Sequence, residues 1–133
     1  MSITFSIATE SCDCSRRWCD ACDAAWERGE DSPEVFSCEI CEVEVNMANG
    51  NALDFLAWVG LPVDYCGSVK GSDLAPVLRR RLWDESRNHD EGIPSVSEGR
   101  VHYMGRRPGY LRERTEQVLA LCERAGDREV SWG

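Results

Sequence analysis

Alternating apolar and polar residues predict four short strands along the chain. Residues 3–7 alternate Ile and Phe with Thr and Ser, which is typical of a strand with one buried face. Residues 34–47 end in an alternation of Val and Met with Glu and Asn, and they predict a second half-buried strand. Shorter alternations at 100–104 and 128–133 predict two more strands, the last with its valine and tryptophan facing inward.

Apolar residues at three- and four-residue spacing predict three helices. The helices cover residues 51–59, roughly 73–87 and about 109–125. The inner face of the second helix is predicted to carry Leu74, Val77, Leu78 and Leu82. Gly60 and Gly126 follow the first and third helices, and glycine commonly ends a helix in this way. The segments 61–71 and 88–99 contain Gly, Pro and polar residues, so we expect loops there.

The predicted order of elements favours an α+β fold. A small, mostly antiparallel sheet covered on one face by about three helices is the simplest way to bury these apolar faces together. The length of 133 residues fits a single domain spanning 1–133. Residues 10–42 form a cysteine-rich insertion after the first strand. Periodicity is poor in the insertion, so we expect an irregular segment that is organised by metal ligands.

Cysteine spacing is the strongest chemical signal in the chain. Eight cysteines are present, and six of them lie within residues 12–41. Two Cys-x-x-Cys pairs, Cys19 with Cys22 and Cys38 with Cys41, are separated by fifteen residues. Two such pairs supply the four thiolates of a closed tetrahedral zinc site. Cys38 and Cys41 can share a metal only if the chain turns between them, because on a straight strand their side chains would point to opposite faces.

The spacing of residues 19–41 resembles that of the zinc-ribbon and treble-clef families. The resemblance implies a zinc ion held by Cys19, Cys22, Cys38 and Cys41. A site closed by four thiolates leaves no position for a reacting water, so we expect a structural role for the metal. Zinc binding in comparable peptides is worth on the order of 10–16 kcal/mol near neutral pH, which is enough to fold such a segment.

Cys12 and Cys14 leave the set of ligands open. They are additional candidate ligands in a two-metal site with six thiolates, or Cys14 replaces a member of the first pair. A third interpretation makes them ordinary small residues at the end of the first strand. An iron–sulfur cluster and a redox dithiol use the same residue type. Three disulfides among the six clustered cysteines would require an oxidising compartment.

Charge is divided unevenly between the two halves of the chain. The net charge is −9, and residues 1–64 carry 13 acidic residues against three arginines, which gives −10. Such a half repels nucleic acid and anionic lipid, so it disfavours non-specific nucleic-acid binding and favours a basic protein partner. No signal peptide or transmembrane segment is evident, and we expect a cytoplasmic protein with no membrane partner.

Arginines gather where the last helix is predicted to begin. The cluster consists of Arg100, Arg106, Arg107, Arg112 and Arg114. Cations at a helix N-terminus oppose the helix dipole, so a bound anion would relieve the repulsion. This pattern suggests a site for a nucleotide or another anionic small molecule. The alternative is pairing with carboxylates of the same chain, as in the i,i+4 pair of Arg112 with Glu116.

These features favour a binding protein over an enzyme. His89 and His102 are the only histidines, and neither lies in a metal or nucleophile motif. We predict a non-enzymatic zinc protein that acts as an interaction or inhibitor module through its acidic N-terminal half. The second hypothesis is a small-ligand protein that binds an anion at the arginine cluster. In size, acidity and use of Arg over Lys, the chain is similar to small proteins of GC-rich bacteria and their phages.

Overall fold

The computed structural model describes residues 1–31, 33, 38–84, 92–103 and 105–133, and for residues 15 and 101–103 it describes the backbone alone. Within these ranges the helices are α1 (Cys14–Arg28), α2 (Glu39–Glu42), α3 (Asn49–Val59), α4 (Gly71–Trp83) and α5 (Tyr110–Ala125). The strands are β1 (Ser2–Ile7), β2 (Val45–Ala48), β3 (Gly67–Lys70), β4 (Val96–Glu98), β5 (Val101–Tyr103) and β6 (Glu129–Trp132). His89 and the side chain of His102 lie outside the described residues.

Four strands form an antiparallel sheet in the order β2-β1-β6-β3, and β4 and β5 form a separate antiparallel pair. The chain therefore has the predicted α+β fold. β6 lies between β1 and β3, so the last strand is central in the sheet. Opposite residues in the sheet include Ile3 with Met47, Phe5 with Trp132, and Val69 with Val130.

The core lies between one face of this sheet and helices α3, α4 and α5. Phe5 on β1 is fully buried, and its ring meets Phe55 of α3 edge-on at 5.4 Å and stacks on Trp132 at 5.8 Å. Val130 and Trp132 of β6 face inward, as the alternation predicted. The predicted helices at 51–59 and about 109–125 are confirmed as α3 and α5.

Two features of residues 61–83 differ from the prediction. The predicted loop contains the edge strand β3, which pairs with β6. The indole of Trp132 lies against Gly67, where a Cβ would be 2.3 Å from the ring. Helix α4 begins at Gly71 and buries Ala75, whereas Val77, predicted to face inward, is 40% exposed. Leu74 and Leu78 are buried as predicted, so the inner face of α4 follows the leucines and includes Ala75 in place of Val77.

Residues 14–28 are helical, so the prediction of an irregular segment was wrong there. The inner face of α1 is made of Cys14, Trp18, Ala21, Cys22 and Ala25, which are buried or half-buried. These residues follow helical spacing, but most are small and give a weak apolar signal. The indole N–H of Trp18 donates a hydrogen bond to the backbone oxygen of Pro33 at 3.3 Å. Gly29, with φ of 70°, ends the helix in the left-handed conformation.

Candidate metal centre

The first two sulfurs of the candidate site lie where β1 is followed by α1. The strand ends at Ile7, and the backbone N–H of Glu10 donates to the oxygen of Ile7 at 3.0 Å, which turns the chain away from the sheet. Cys12 lies in the connection and is exposed. Cys14 is the first residue of α1 and is 2% exposed. A strand end and a helix start thus bring two thiols into one place.

Cys38 and Cys41 belong to the single turn of α2, with Cys38 as its N-cap residue. The backbone N–H of Cys38 donates to Sγ of Cys41 at 3.0 Å, and the backbone N–H of Cys41 donates to Sγ of Cys38. This reciprocal pair is a capping box with sulfur in place of oxygen. The two Sγ atoms are 3.7 Å apart. The turn that the sequence required at these two cysteines is therefore present.

Four sulfurs converge in the folded chain. The Sγ atoms of Cys12, Cys14, Cys38 and Cys41, which we call the sulfur group, all lie within 4.8 Å of one another. Sulfurs that share a tetrahedral zinc ion at about 2.3 Å lie about 3.8 Å apart, so the spacing fits such an ion. All eight cysteines are free of disulfides. In the part of the chain that the structure describes, this is the one group of at least three Cys, His, Asp or Glu side chains placed to hold a metal.

Hydrogen bonds shift the pKa values of Cys38 and Cys14 in opposite directions. The backbone N–H of Cys41 is the main cause of a pKa of about 7 for Cys38, lowered from its usual 9.0. The hydrogen bond to Cys38 is the main cause that raises the pKa of Cys14 to about 12. Nη2 of Arg17 donates a hydrogen bond to Sγ of Cys14 at 3.7 Å, and this contact lowers the pKa of Cys14 in opposition to Cys38. A bound metal would displace the remaining protons from the sulfurs.

The four sulfurs differ from the predicted set at two positions. Cys38 and Cys41 are present, and the additional candidates Cys12 and Cys14 join them. Cys19 and Cys22 lie on α1, where Cys19 is exposed and Cys22 half-buried, and neither is in the group. The reason is the helix: Cys19 lies five residues after Cys14, which is about 7.5 Å along the helix axis. That displacement exceeds the span of the whole sulfur group.

Most arginines of the cluster form ion pairs with carboxylates of the same chain. Arg106 Nη1 lies 2.5 Å from Asp54 Oδ2, Arg107 pairs with Glu113, and Arg112 Nε lies 3.3 Å from Glu116 Oε1. The Arg106 side chain is only 12% exposed. Arg114 lies over the ring of Tyr110, and Arg100 is exposed in the turn between β4 and β5. Carboxylates of the same chain therefore pair with three of the five arginines of the cluster.

The remaining cysteines are separate from the sulfur group. Cys122 is 1% exposed on the inner face of α5, as predicted, and Cys66 is exposed. Within the described ranges, no helix combines the length and apolar character needed to cross a bilayer. Comparison with protein-family models, curated proteins and solved structures finds no match to the chain.

Proposed function

We propose that this chain is a zinc protein in which Cys12, Cys14, Cys38 and Cys41 hold one ion. The observation that carries the proposal is the convergence of four sulfurs within 4.8 Å, with no disulfide among them. Thiolate ligands in a tetrahedral arrangement suit zinc, and iron is the main competitor for four cysteines. The ion joins the start of α1 to α2 and so fixes both ends of the cysteine-rich insertion.

The proposed role of the ion is structural, and the protein is proposed to be non-enzymatic. Four protein thiolates fill the coordination sphere of tetrahedral zinc and leave no position for water or substrate. Cys14 is buried, which limits access to the ion from one side. The metal would thus stabilise the fold of residues 10–42 and take no part in a reaction.

The surface that the zinc site would hold in place is proposed to bind a basic protein. Helix α1 carries the exposed residues Asp20, Asp23, Trp26 and Glu27, which we call the acidic face of α1. Trp26 is 85% exposed. An exposed indole beside carboxylates suits lysine or arginine side chains, because the ring attracts the cation and the carboxylates pair with it.

Metal analysis of the purified protein tests the zinc site. We expect about one zinc per chain by inductively coupled plasma mass spectrometry, and a cobalt-substituted protein with the absorption of tetrahedral thiolate coordination. Iron in place of zinc would change the proposed cofactor. A metal-free protein that binds neither zinc nor cobalt would overturn the proposal.

Matched tryptophan variants test the proposed interaction. Trp26 and Trp83 are both 85% exposed, so Trp83→Ala is a control for Trp26→Ala. We expect the wild type and Trp83→Ala to capture the same basic proteins from a host extract, identified by mass spectrometry. Trp26→Ala and the charge-neutralised variant Asp20→Asn/Asp23→Asn/Glu27→Gln are expected to lose them. Equal recovery by all four proteins would exclude the acidic face of α1.

A groove beside Arg106 and Arg107 supports anion binding as a second candidate function. It has a volume of about 470 Å³, and Ile93 and Pro94 line it with the two arginines. The pairing of these arginines with carboxylates weighs against a strong site. A thermal-shift panel of nucleotides tests the candidate: a stabilisation that Arg106→Ala abolishes would support it, and the absence of any shift would exclude it.

A further inference from the structure

Arg124 on α5 connects both halves of the sulfur group to the helical core. Its Nη2 lies 3.0 Å from Oε2 of Glu10, and its Nε lies 3.3 Å from both oxygens of the same carboxylate. Its Nη1 lies 2.7 Å from Oε1 of Glu39. One planar guanidinium therefore contacts two carboxylates that are 29 residues apart in the sequence.

The two carboxylates lie beside the two pairs of sulfur ligands. Glu10 precedes Cys12 by two residues, and Glu39 directly follows Cys38 in the turn of α2. The positions of the two ligand pairs relative to each other therefore depend on segments that Arg124 holds together.

Burial makes the Arg124–Glu10 contact more than an ordinary surface ion pair. The Glu10 side chain is 15% exposed and that of Arg124 is 28% exposed, whereas Glu39 is 81% exposed. Arg128 adds a second cation at Glu10, with Nη1 3.0 Å from Oε1, and it donates to the backbone oxygens of Arg124 and Ala125. Partly buried networks with fixed geometry hold their position better than isolated exposed pairs.

We propose that Arg124 is a positioning residue for the metal centre: it sets the distance between the Cys12–Cys14 segment and the Cys38–Cys41 turn without touching the metal. The inference rests on the proposed function, since it concerns the same four sulfurs. Residues that orient metal ligands from outside typically change metal affinity about 10–100-fold when they are mutated. Loss of Arg124 removes none of the four cysteines, but it frees the two segments that carry them to separate.

The test compares zinc affinity in variants that leave every cysteine unchanged. Zinc dissociation constants are measured by competition with a chromophoric chelator for the wild type, Arg124→Met and Arg79→Met. Arg79 pairs with Glu123 at 3.2 Å and lies outside the sulfur group, so it is the matched control for loss of an arginine ion pair. We expect affinity to fall about 10-fold or more in Arg124→Met and to stay within about 2-fold in Arg79→Met.

Further variants separate positioning from general stability. Glu39→Gln removes a contact at an exposed side chain, so this protein should fold even if Arg124→Met does not. Arg124→Lys keeps the charge but replaces the planar guanidinium with a single ammonium group. We expect its zinc affinity to lie between those of Arg124→Met and the wild type. Urea unfolding of the metal-free proteins reports stability separately. A positioning role predicts weaker zinc binding beyond any change in metal-free stability.

The outcomes distinguish this inference from the proposed function. If the wild type binds no metal, the proposed function fails and the inference fails with it. If the wild type binds zinc and both Arg124→Met and Glu39→Gln bind it equally well, the site stands and the positioning role is overturned. If Arg124→Met and Arg79→Met weaken zinc binding equally, the effect is general and the inference is likewise overturned.

Discussion

Gly71 packs directly against the backbone of Cys122. A Cβ at position 71 would lie 2.7 Å from the carbonyl oxygen of Cys122 and 2.9 Å from Cβ of Ala125. Helix α4 therefore begins in contact with the C-terminal turn of α5. We expect Gly71→Ala to lower the free energy of unfolding by about 1–3 kcal/mol, because the added methyl must push the helices apart. Urea denaturation in the presence of zinc measures this change.

Gly50→Ala is the control for that substitution. Gly50 also lies in the first turn of a helix, α3, and a Cβ there would meet no atom within 4 Å. Alanine favours the helix more than glycine does, so we expect a gain of up to about 1 kcal/mol. Equal effects at positions 50 and 71 would show that the helices are not in the described contact.

Serine variants identify the metal ligands. Cys12→Ser and Cys14→Ser each remove one of the four converging sulfurs, and a hydroxyl is a poor ligand for zinc. We expect both variants to be purified with well under one zinc per chain. Cys19→Ser and Cys22→Ser lie on α1 outside the group and are expected to keep one zinc. The reverse result would favour the set that the Cys-x-x-Cys spacing suggests.

Metal removal is expected to unfold one part of the chain before the rest. Among the described side chains of α1, only those of Cys14 and Ala25 are buried, and neither belongs to the main core cluster. After treatment with a strong chelator, amides of Cys14–Arg28 should exchange rapidly with deuterium while those of α5 remain protected. Hydrogen exchange with mass spectrometry follows both segments. Simultaneous loss of protection would show that the zinc site and the core form one cooperative unit.

Ionisation of the Cys122 thiol is expected to lower the stability of the fold at high pH. Burial, with a smaller contribution from Glu123, raises the pKa of Cys122 from 9.0 to about 11. Below pH 9 the thiol is protonated in both the folded and the unfolded chain, so its contribution is constant. Between about pH 9 and 11 only the unfolded chain loses this proton, and stability falls by an amount on the order of 2 kcal/mol.

The variant Cys122→Ala isolates that effect. The variant lacks the thiol, so its stability should decline less steeply between pH 9 and 11 than that of the wild type. Cys66→Ala, at an exposed thiol, should follow the wild-type curve. Parallel curves for the wild type and Cys122→Ala would show that the thiol ionises equally in the folded and unfolded chains.

The elements predicted correctly are those whose apolar side chains are large and regularly spaced. In β1 and β6, Phe5, Val130 and Trp132 alternate with polar residues, and their burial follows from the sequence. Helix α1 was missed because Cys14, Ala21 and Ala25 are small and contribute little to an apolar pattern. Strand β3 was missed because Gly67 favours a turn locally, and it is suited to a strand only when Trp132 lies against it.

Half of the sulfur group could be predicted from the sequence, for a physical reason. The turn at Cys38 and Cys41 is local, and two thiols three residues apart require it. The choice between Cys14 and Cys19 depends on where the chain becomes helical after β1. The Cys-x-x-Cys spacing points to Cys19 and Cys22 rather than to the Cys-x-Cys pair of Cys12 and Cys14, and it carries no information about that boundary.

The central position of β6 sets an order of assembly during translation. The N–H of Thr4 donates to the oxygen of Gly133 at 3.0 Å, and the N–H of Gly133 donates to the oxygen of Thr4 at 3.3 Å. Strand β1 can pair with β2 early, but its pairing on the other side requires the last strand of the sheet. All four converging sulfurs precede β6 in the chain, so they are synthesised before Trp132 can stack on Phe5.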